Sequence, residues 1–460
     1  MPRFLSAQPD ARLIALPWHR QLADWPTEHL VALPRGISRH VVRFIGVGED
    51  IYAAKEVLEA SAVHEYRMLQ DLIRLDTPAV EPVAVVTGRV GANGEDLDPI
   101  LLTRHLQFSL PYRSLFSPGV RHETVSRLLD AMVVLLVRLH LVGFLWGDVS
   151  LSNILFRRDA GEFAAYLVDA ETAELHDQLT DGQRHHDLQI AVTNLFGEFS
   201  DLEAGRLLDA SLDPLDLVQQ IETRYEALWA ELTAAEEFAG DELFRIESRV
   251  RRLNSLGFDV AELDIQTSSD GSRLTVQPKV VDAGHHSRRL LRLTGLDTEE
   301  HQAQRLLNDL DTFRARNNLA ATEESQVAHR WLLDSFEPVV NAIPADLTGK
   351  REPAQIFHEV LDYRWYQSQR DGREVPLTEA VQGYIRDVLS VLPDEVIAGE
   401  PVEGSSSGRQ LVNPLDPSQG FVDDLDPDDL VDPWEAAAHD PDTPVLPDRF
   451  DIDALRRLKG

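Results

Sequence analysis

Residues 146–155 read WGDVSLSNIL, and residues 167–171 read LVDAE. Each stretch places a carboxylate at the end of a short apolar run, Asp148 in the first and Asp169 in the second. An unpaired carboxylate beside a buried strand is costly, so such a group shifts its pKa or takes a cation as its partner. The two stretches therefore predict a site at which acidic side chains meet a cation.

Composition narrows the class of protein. The chain has 460 residues, of which 43% are hydrophobic, enough for two domains and a tail. A formal net charge of −34 argues against a main role in binding nucleic acid or an anionic membrane, since both attract basic surfaces. The absence of cysteine excludes disulfides, zinc–thiolate sites and thiol nucleophiles. We find no run as apolar as a signal peptide or a membrane span, and expect a soluble, cytoplasmic protein.

The C-terminal segment, residues 394–460, differs from the rest of the chain in composition. It is rich in Asp, Pro, Gly and Ser, and its 17 acidic and 5 basic residues give a net charge of −12. Such a segment buries too little apolar surface to offset the entropy lost when it orders. We therefore expect an acidic, largely disordered tail.

The first part of the chain alternates between strand and helix patterns. Residues 40–47 and 50–57 are β-rich and flank a glycine-containing turn, which predicts a hairpin. Residues 60–75 carry apolar side chains at helical spacing. Residues 79–90 and 99–106 are again β-rich. Together these patterns indicate a small antiparallel sheet with one helix.

The region around the quoted stretch reads as a helix followed by a hairpin. Residues 123–141 form a strongly apolar helical pattern that leads into the loop of Asp148. Residues 153–158 and 164–169 are then predicted to pair across the turn DAGE. This places Asp169 at the exit of a buried strand.

This order of elements resembles the protein-kinase-like fold over roughly residues 30–200. GDVSLSNIL is similar to the GDLSxxNIL pattern of RIO-type kinases, and other details resemble the lipopolysaccharide-kinase and aminoglycoside-phosphotransferase branches. The whole chain also resembles a bacterial family of unassigned function in which such a domain precedes a second conserved domain. The resemblance implies an α+β fold, with a bilobal kinase-like domain built from a small antiparallel sheet and a helical lobe.

The resemblance implies ATP and magnesium as cofactors and assigns catalytic roles to residues of this chain. Lys55 would contact the α- and β-phosphates, and Glu65 would hold its ammonium group in an ion pair, with Glu59 as an alternative partner. Asp148 would accept or orient the proton of the substrate hydroxyl. The phosphoryl acceptor would be a small molecule or a protein.

The resemblance also implies a metal site and a nucleotide hinge. Asn153 and Asp169 would carry the magnesium ion, which prefers hard oxygen ligands. Glu171 is either a further metal ligand or a charge at the exit of the strand. The hinge backbone that would meet the adenine edge consists of Arg104, His105 and Leu106.

Two departures from the family pattern keep another interpretation open. Trp146 stands where most relatives have histidine, which removes the usual brace of the loop. The segment where a glycine-rich phosphate loop belongs, residues 32–42, offers only Gly36, so phosphate binding would fall to Arg35 and Arg39. The alternative function is a nucleotide-binding pseudokinase or scaffold that acts through its second domain and tail.

Residues 185–187 read HHD. Adjacent histidines point to different sides of a helix, so we interpret His185 and His186 as structural residues and not as a metal site. Asp187 is predicted to anchor the backbone of the loop around Asp148, as an aspartate does in related folds.

We predict a kinase-like domain over residues 1–240 and a mainly helical second domain over residues 241–393. A helix is expected at 241–258, followed by a hairpin that turns near Asp270 and Gly271. Further helices are expected at 322–342 and 353–368.

Residues 285–316 read as helix, turn, helix, with Gly295 ending the first helix and Asp297 or Thr298 capping the second. This pattern raises a third possibility, a helix-turn-helix DNA-binding regulator. Residues 243–316 hold 12 basic and 11 acidic residues, so composition shows no basic face and favours an ordinary helical pair. A site for an anionic substrate could instead be lined by Arg288, Arg289 and Arg292.

Overall fold

The structure is a computed structural model, and the residues that it describes are 2–8, 10–33, 40–116, 120–234, 236–239, 253, 258–267 and 273–392. Arg35, Arg39, most of the helix expected at 241–258 and the acidic tail lie outside these ranges. The described residues form an α+β kinase-like domain and a mainly helical second domain that contains a hairpin.

The small lobe is an antiparallel sheet with one helix, as predicted. Its strands and helix are β1 (Arg3–Leu5), β2 (Leu30–Val31), β3 (Val41–Val47), β4 (Asp50–Glu56), α1 (Glu59–Arg74), β5 (Pro82–Thr87), the short pair β6 (Arg89–Val90) and β7 (Asp96–Leu97), and β8 (Ile100–Arg104). Six of these strands pair in the order β1-β5-β8-β4-β3-β2. The β3–β4 register pairs Val47 with Asp50, so the hairpin loop has two residues, and Gly48 takes the positive φ that this tight turn requires.

The N-terminal segment covers one face of this sheet, which the sequence patterns did not predict. Short 3₁₀ turns between residues 11 and 29 bury a set of large apolar side chains against the sheet. The buried residues of this segment are Leu13, Leu16, Trp18, Leu22 and Trp25. The opposite face of the sheet is thereby left to α1 and the cleft.

The large lobe is built around the apolar helix that the sequence predicted. Its elements are β9 (Leu110–Pro111), α2 (Tyr112–Leu115), α3 (His122–Leu141), β10 (Phe144–Leu145), β11 (Ile154–Asp159), β12 (Glu162–Leu167), β13 (Glu174–Leu175), α4 (Asp181–Ala204) and α5 (Pro214–Thr233). Helix α3 is buried along most of its length and packs against β12 and α5. Thr180 and Gln183 form a capping box that fixes the start of α4.

The β11–β12 hairpin has two different faces. Its register pairs Ile154 with Leu167, and β-strand side chains alternate between faces. One face buries its apolar side chains in the core of the large lobe, namely Ile154, Phe156, Phe163, Ala165 and Leu167. The other face carries Arg157, Asp159 and Tyr166 toward the second domain.

The second domain is mainly helical. Its elements are β14 (Glu236–Ala239), β15 (Phe258–Thr267), β16 (Arg273–Ala283), α6 (His285–Thr294), α7 (Glu300–Arg316), α8 (Glu324–Trp331), α9 (Glu337–Asn341), α10 (Pro353–Asp371) and α11 (Leu377–Asp387). Trp331, Phe336 and Phe357 form an aromatic cluster in its core. Strand β14 pairs with β16, although it precedes the predicted boundary at residue 240.

Three details of the second domain differ from the prediction. Strand β15 begins at Phe258, six residues before the predicted hairpin. The segment expected as one helix at 322–342 is two helices joined by a π-helical turn at Leu332–Phe336. The N-cap of α7 is Glu299, not Asp297 or Thr298, because its carboxylate and Gln302 form a reciprocal capping box. Gly295 ends α6 in a left-handed conformation, as predicted.

Candidate functional site

Three carboxylates surround Lys55 in the cleft between the lobes. The Lys55 Nζ atom lies 3.0 Å from Glu65 Oε2, 2.6 Å from Asp169 Oδ2 and 3.6 Å from Glu171 Oε2. The ion pair predicted between Lys55 and Glu65 is therefore present, and Glu59 stands outside it at the first residue of α1. Strand β4, helix α1 and the end of β12 bring these side chains together from positions up to 116 residues apart.

The charges of this cluster are unbalanced. Burial raises the pKa of Glu65 to about 8; the charge of Asp169 acts in the same direction, and Lys55 opposes both. Burial alone would lower the pKa of Lys55, but Glu65 and Asp169 outweigh it and the pKa is raised. One ammonium group thus serves three carboxylates, and the cleft is suited to a further cation.

Glu171, at the exit of the strand, is part of this cluster. Its Oε2 atom accepts a hydrogen bond from His40 Nε2 at 3.1 Å as well as facing Lys55. Burial would raise the pKa of Glu171, but Lys55, Ser61 and His40 together lower it. The segment after Asp169 is therefore tied to the small lobe through its side chain.

Asp187 on α4 anchors the loop that contains Asp148, as predicted. Its Oδ2 atom accepts from the Trp146 N–H at 2.9 Å, and its Oδ1 atom accepts from the Gly147 N–H at 2.7 Å. His140 Nε2 lies 3.0 Å from the same carboxylate, and its Nδ1 lies 2.5 Å from the Tyr225 hydroxyl. Asp187 and His140 are fully buried, so this network sets the loop on the helices of the large lobe.

Trp146 stands in place of the usual histidine and supplies a different brace for the loop. Its indole N–H donates to the backbone carbonyl of Asp169 at 2.8 Å. The Thr172 hydroxyl donates in turn to the Trp146 carbonyl at 3.0 Å. Trp146 is 1% exposed, so the ring both fills the core and joins the Asp148 loop to the segment that carries Asp169.

Asp148 is held by two asparagines. Asn153 Nδ2 donates to the Asp148 carbonyl at 3.0 Å and approaches its Oδ2 at 3.4 Å. Asn194 on α4 approaches Asp148 Oδ1 at 3.3 Å and donates to the Val149 carbonyl at 3.1 Å. The sequence predicted Asn153 but not Asn194, because a polar residue on a helix looks like an ordinary surface position until the packing is known.

Glu198, one turn after Asn194 on α4, is a second residue that sequence patterns missed. Its carboxylate accepts from the Leu151 N–H at 2.5 Å and from the N–H and hydroxyl of Ser152 at 3.2 Å and 3.0 Å. These donors belong to the 3₁₀ turn Leu151–Asn153. Burial raises the pKa of Glu198 despite these hydrogen bonds. Glu198 therefore caps the turn from which Asn153 projects.

The two residues predicted to bind magnesium lie on adjoining segments of the fold. Val168 N–H donates to the Asn153 carbonyl at 3.0 Å, so the hairpin register sets Asn153 beside the residue that precedes Asp169. Because Asn153 Nδ2 donates to Asp148, its Oδ1 is the end of the amide suited to a cation. Among the described residues no group of three His, Cys, Asp or Glu side chains is arranged to hold a metal alone. Magnesium usually takes one or two protein oxygens and completes its shell with water and phosphate.

The predicted hinge follows β8. The Arg104 and His105 N–H groups donate to the carbonyls of Glu81 and Ile51 at 2.8 Å and 2.9 Å. The N–H groups of Arg104 and His105 are therefore already bonded within the small lobe. The hinge N–H groups that could meet an adenine begin at Leu106. Burial lowers the pKa of His105 to about 4, so its imidazole is neutral.

The structure argues against the helix-turn-helix and anion-site interpretations of residues 285–316. The N–H groups of His301 and Gln302, at the start of the second helix, donate to Asp159 of the β11–β12 hairpin. That end of α7 is thus occupied within the chain and is not available to a DNA groove. Arg288 pairs with Asp76 at 3.4 Å and Arg289 with Glu324 at 2.5 Å, so both arginines have carboxylate partners.

Two family models match this chain, and they agree with the architecture. Residues 44–197 match the model of the lipopolysaccharide kinase (Kdo/WaaP) family, and residues 227–389 match a domain of unknown function, DUF4032. A solved structure described as WaaP in complex with acyl carrier protein is similar to 55% of this chain and 99% of its own, with 16% identity and a TM-score of 0.32. No curated protein matches the chain.

No helix among the described residues is both long and apolar enough to cross a bilayer. The family matches, the element order and the Lys55–Glu65 ion pair describe the same architecture. The chain thus carries a protein-kinase-like domain of the kind matched by the lipopolysaccharide kinase (Kdo/WaaP) model, followed by a DUF4032 domain.

Proposed function

We propose that the chain is an ATP-dependent phosphotransferase that requires a divalent metal, with magnesium as the metal used. The observation that supports this proposal above all is the cluster in which Lys55 lies within 3.0 Å of both Glu65 and Asp169. A kinase-like site needs this arrangement because phosphoryl transfer depends on positioning and on neutralising phosphate charge. The match of residues 44–197 to a kinase family supports the same activity.

In this proposal the residues of the cleft divide the work of phosphoryl transfer, and Asn153 has two tasks. Lys55 binds the α- and β-phosphates, and Glu65 fixes the position of its ammonium group. Asp148 orients the acceptor hydroxyl and takes its proton, while Asn153 and Asn194 hold the carboxylate. Asn153 and Asp169 hold the metal ion, which when bound neutralises charge on the phosphate oxygens. The backbone beginning at Leu106 meets the adenine. The acceptor is a hydroxyl-bearing small molecule or protein.

Nucleotide binding tests the cleft without knowledge of the acceptor. We expect ATP with magnesium to raise the Tm of the full chain, and ATP without metal to raise it less. Asp169→Asn removes the metal-binding charge and abolishes the part of the shift that depends on magnesium. Asp96→Asn, at an exposed strand position of the small lobe, is the matched control and keeps the full shift. An Asp169→Asn protein with an undiminished magnesium-dependent shift would rule out this metal site.

A second measurement separates catalysis from binding alone. Slow ATP turnover in water reports phosphoryl transfer even when the acceptor is absent. Turnover by the wild-type chain that is lost in Asp148→Asn supports a phosphotransferase. Nucleotide binding by a wild-type chain that shows no turnover, with water or with hydroxyl acceptors, would instead identify a nucleotide-binding pseudokinase.

A further inference from the structure

The second domain covers the outer face of the β11–β12 hairpin. Arg157, in the middle of β11, lies 3.0 Å from Glu299 and 2.6 Å from Glu352. Tyr166, on β12, donates its hydroxyl to the same Glu299 at 2.7 Å. The side chains of Arg157, Glu299 and Glu352 are 10–17% exposed, so this network is largely removed from water.

The tip of the hairpin is also held by the second domain. The carboxylate of Asp159, 3% exposed, accepts from the Gln302 N–H at 2.6 Å and from His301 N–H and Nδ1 at 3.1 Å and 2.8 Å. An anion at the first turn of a helix is stabilised by the free N–H groups and by the helix dipole. The Ala160 N–H donates to Gln355 on α10 at 3.0 Å. Helices α7 and α10 of the second domain thus both form hydrogen bonds with the turn of the β11–β12 hairpin.

These contacts reach close to the proposed metal ligands. Tyr166 lies three residues before Asp169 and pairs with Leu155, which lies two residues after Asn153. Strand β9 pairs with the hairpin at Leu155 and Phe156, and the backbone of residues 78–80 bonds to Leu167 at the end of β12. A two-stranded hairpin is marginally stable by itself, so its geometry depends on what packs against its faces. One face rests on the large-lobe core and the other rests on the second domain.

We propose that the second domain is a structural part of the metal site, in which Tyr166, Arg157 and Asp159 are positioning residues that its helices α7 and α10 hold in place. The inference rests on the proposed function, because it assigns these residues an effect on magnesium bound at Asn153 and Asp169. Residues beyond the ligands orient the ligands themselves, and their loss commonly weakens metal binding. The second domain is therefore required for the metal-dependent step of the kinase-like domain.

The test measures the magnesium dependence of binding of a non-hydrolysable ATP analogue to the full-length chain by calorimetry. Tyr166→Phe removes one hydroxyl and keeps the packing of the ring. The matched control is Tyr363→Phe. It removes a hydrogen bond of similar length, 2.8 Å from the Tyr363 hydroxyl to the Asp387 carboxylate, inside the second domain. We expect Tyr166→Phe to raise the magnesium concentration needed for half-maximal binding about 10-fold. Metal-free nucleotide affinity stays unchanged, and Tyr363→Phe behaves as wild type.

Asp159→Asn is the second variant, and hydrogen exchange of the β11 and β12 amides is the second measurement. Faster exchange in this hairpin, together with weaker magnesium dependence, supports the inference. Wild-type magnesium dependence in both Tyr166→Phe and Asp159→Asn overturns it and leaves the proposed function intact. Equal loss of nucleotide affinity with and without metal also overturns it. A wild-type chain whose nucleotide binding ignores magnesium overturns the proposed function, and this inference with it.

Discussion

Two buried charge clusters, one around Lys55 and one around Arg157, differ in how their charges are satisfied. Around Lys55, three carboxylates share one ammonium group, and the Asp169 and Glu171 side chains remain 27% and 21% exposed toward the cleft. Around Arg157, two carboxylates share one guanidinium, yet Glu299 is 10% exposed and also receives the Tyr166 hydroxyl. The first cluster is open to an incoming cation, whereas the second is closed by protein groups.

The difference in exposure explains why one cluster is suited to binding a ligand and the other to holding two domains together. A buried cation that is paired with buried carboxylates does little to attract a ligand, because its charge is already compensated. A cluster with accessible carboxylates in excess keeps part of its charge available to a metal and a nucleotide. The four predictions below test this distinction, beginning with the largest effect.

Asp148→Asn is expected to lower ATP turnover about 1000-fold, which is the scale of losing a positioned acid–base group. The amide keeps the size of the carboxylate, one of its two acceptor oxygens and the bond from Asn153 to the backbone carbonyl, so nucleotide affinity stays near wild type. Steady-state turnover and calorimetric binding measure the two properties separately. Turnover within about 10-fold of wild type would show that Asp148 is not the base.

Arg157→Ala is expected to lower the free energy of unfolding by about 3 kcal/mol, because it leaves Glu299 and Glu352 buried without their cation. Denaturant unfolding measures the change. The control is Arg373→Ala, which breaks the exposed pair with Glu379 and leaves the unfolding midpoint unchanged. If the two variants are equally stable, the hairpin cluster is not closed to water.

The pH dependence of the hairpin cluster provides the third test. Burial raises the pKa of Glu299 to about 7, and Asp159 and Glu352 add to this while Arg157 and Tyr166 oppose it. A raised carboxyl pKa means that the stability from this group is complete below its ordinary pKa and is lost as pH rises through 7. Burial would lower the pKa of His301, but Asp159 outweighs burial and the pKa is raised. The stability that protonated His301 contributes is therefore also lost as pH rises.

Glu299→Gln isolates the carboxyl from the other groups. From pH 5 to pH 6 the wild type should lose about 1 kcal/mol relative to the variant, because the folded carboxyl keeps a proton that the unfolded carboxyl has released. The loss should continue toward pH 7 and level off above it, where both states are deprotonated. Unfolding free energies at these three pH values measure the difference. A constant difference would mean that Glu299 does not titrate in this range.

Trp146→Phe is expected to have the smallest effect, about 1 kcal/mol in unfolding free energy, because it removes one hydrogen bond and keeps an aromatic ring in the core. The lost bond joins the loop of Asp148 to the backbone of Asp169, so turnover should fall a few-fold with it. Trp365→Phe is the control, since that side chain is 57% exposed. Unchanged turnover in Trp146→Phe would show that the indole brace does not influence the cleft.

Several parts of the cleft could be predicted from sequence because their signals are local. The Asp148 loop follows an apolar helix, and Asp169 follows an apolar strand, so each acid sits where an element ends. The role of Asp187 was predicted from the resemblance to related folds, and its two backbone contacts confirm it. Such positions follow from the period of the pattern and from turn residues, which act within a few residues.

Other parts could not be predicted because their partners are distant in sequence. Asn194 and Glu198 look like ordinary polar residues of a helix until α4 is packed beneath the loop. Glu171 looked like a surface charge until His40 and Lys55 were placed beside it. Glu299 was missed as an N-cap because it competes with Asp297 and Thr298, which are better capping residues by type.

The sequence by itself determined the order of elements, the kinase-like pattern and the residue types available to the cleft, since these depend on periodicity and on chemistry carried by each residue. Only the tertiary structure decided which charges meet. Lys55 and Asp169 are 114 positions apart, and Arg157 and Glu352 are 195 apart. Contacts across such separations are set by how sheets and helices pack, and packing is a property of the whole fold.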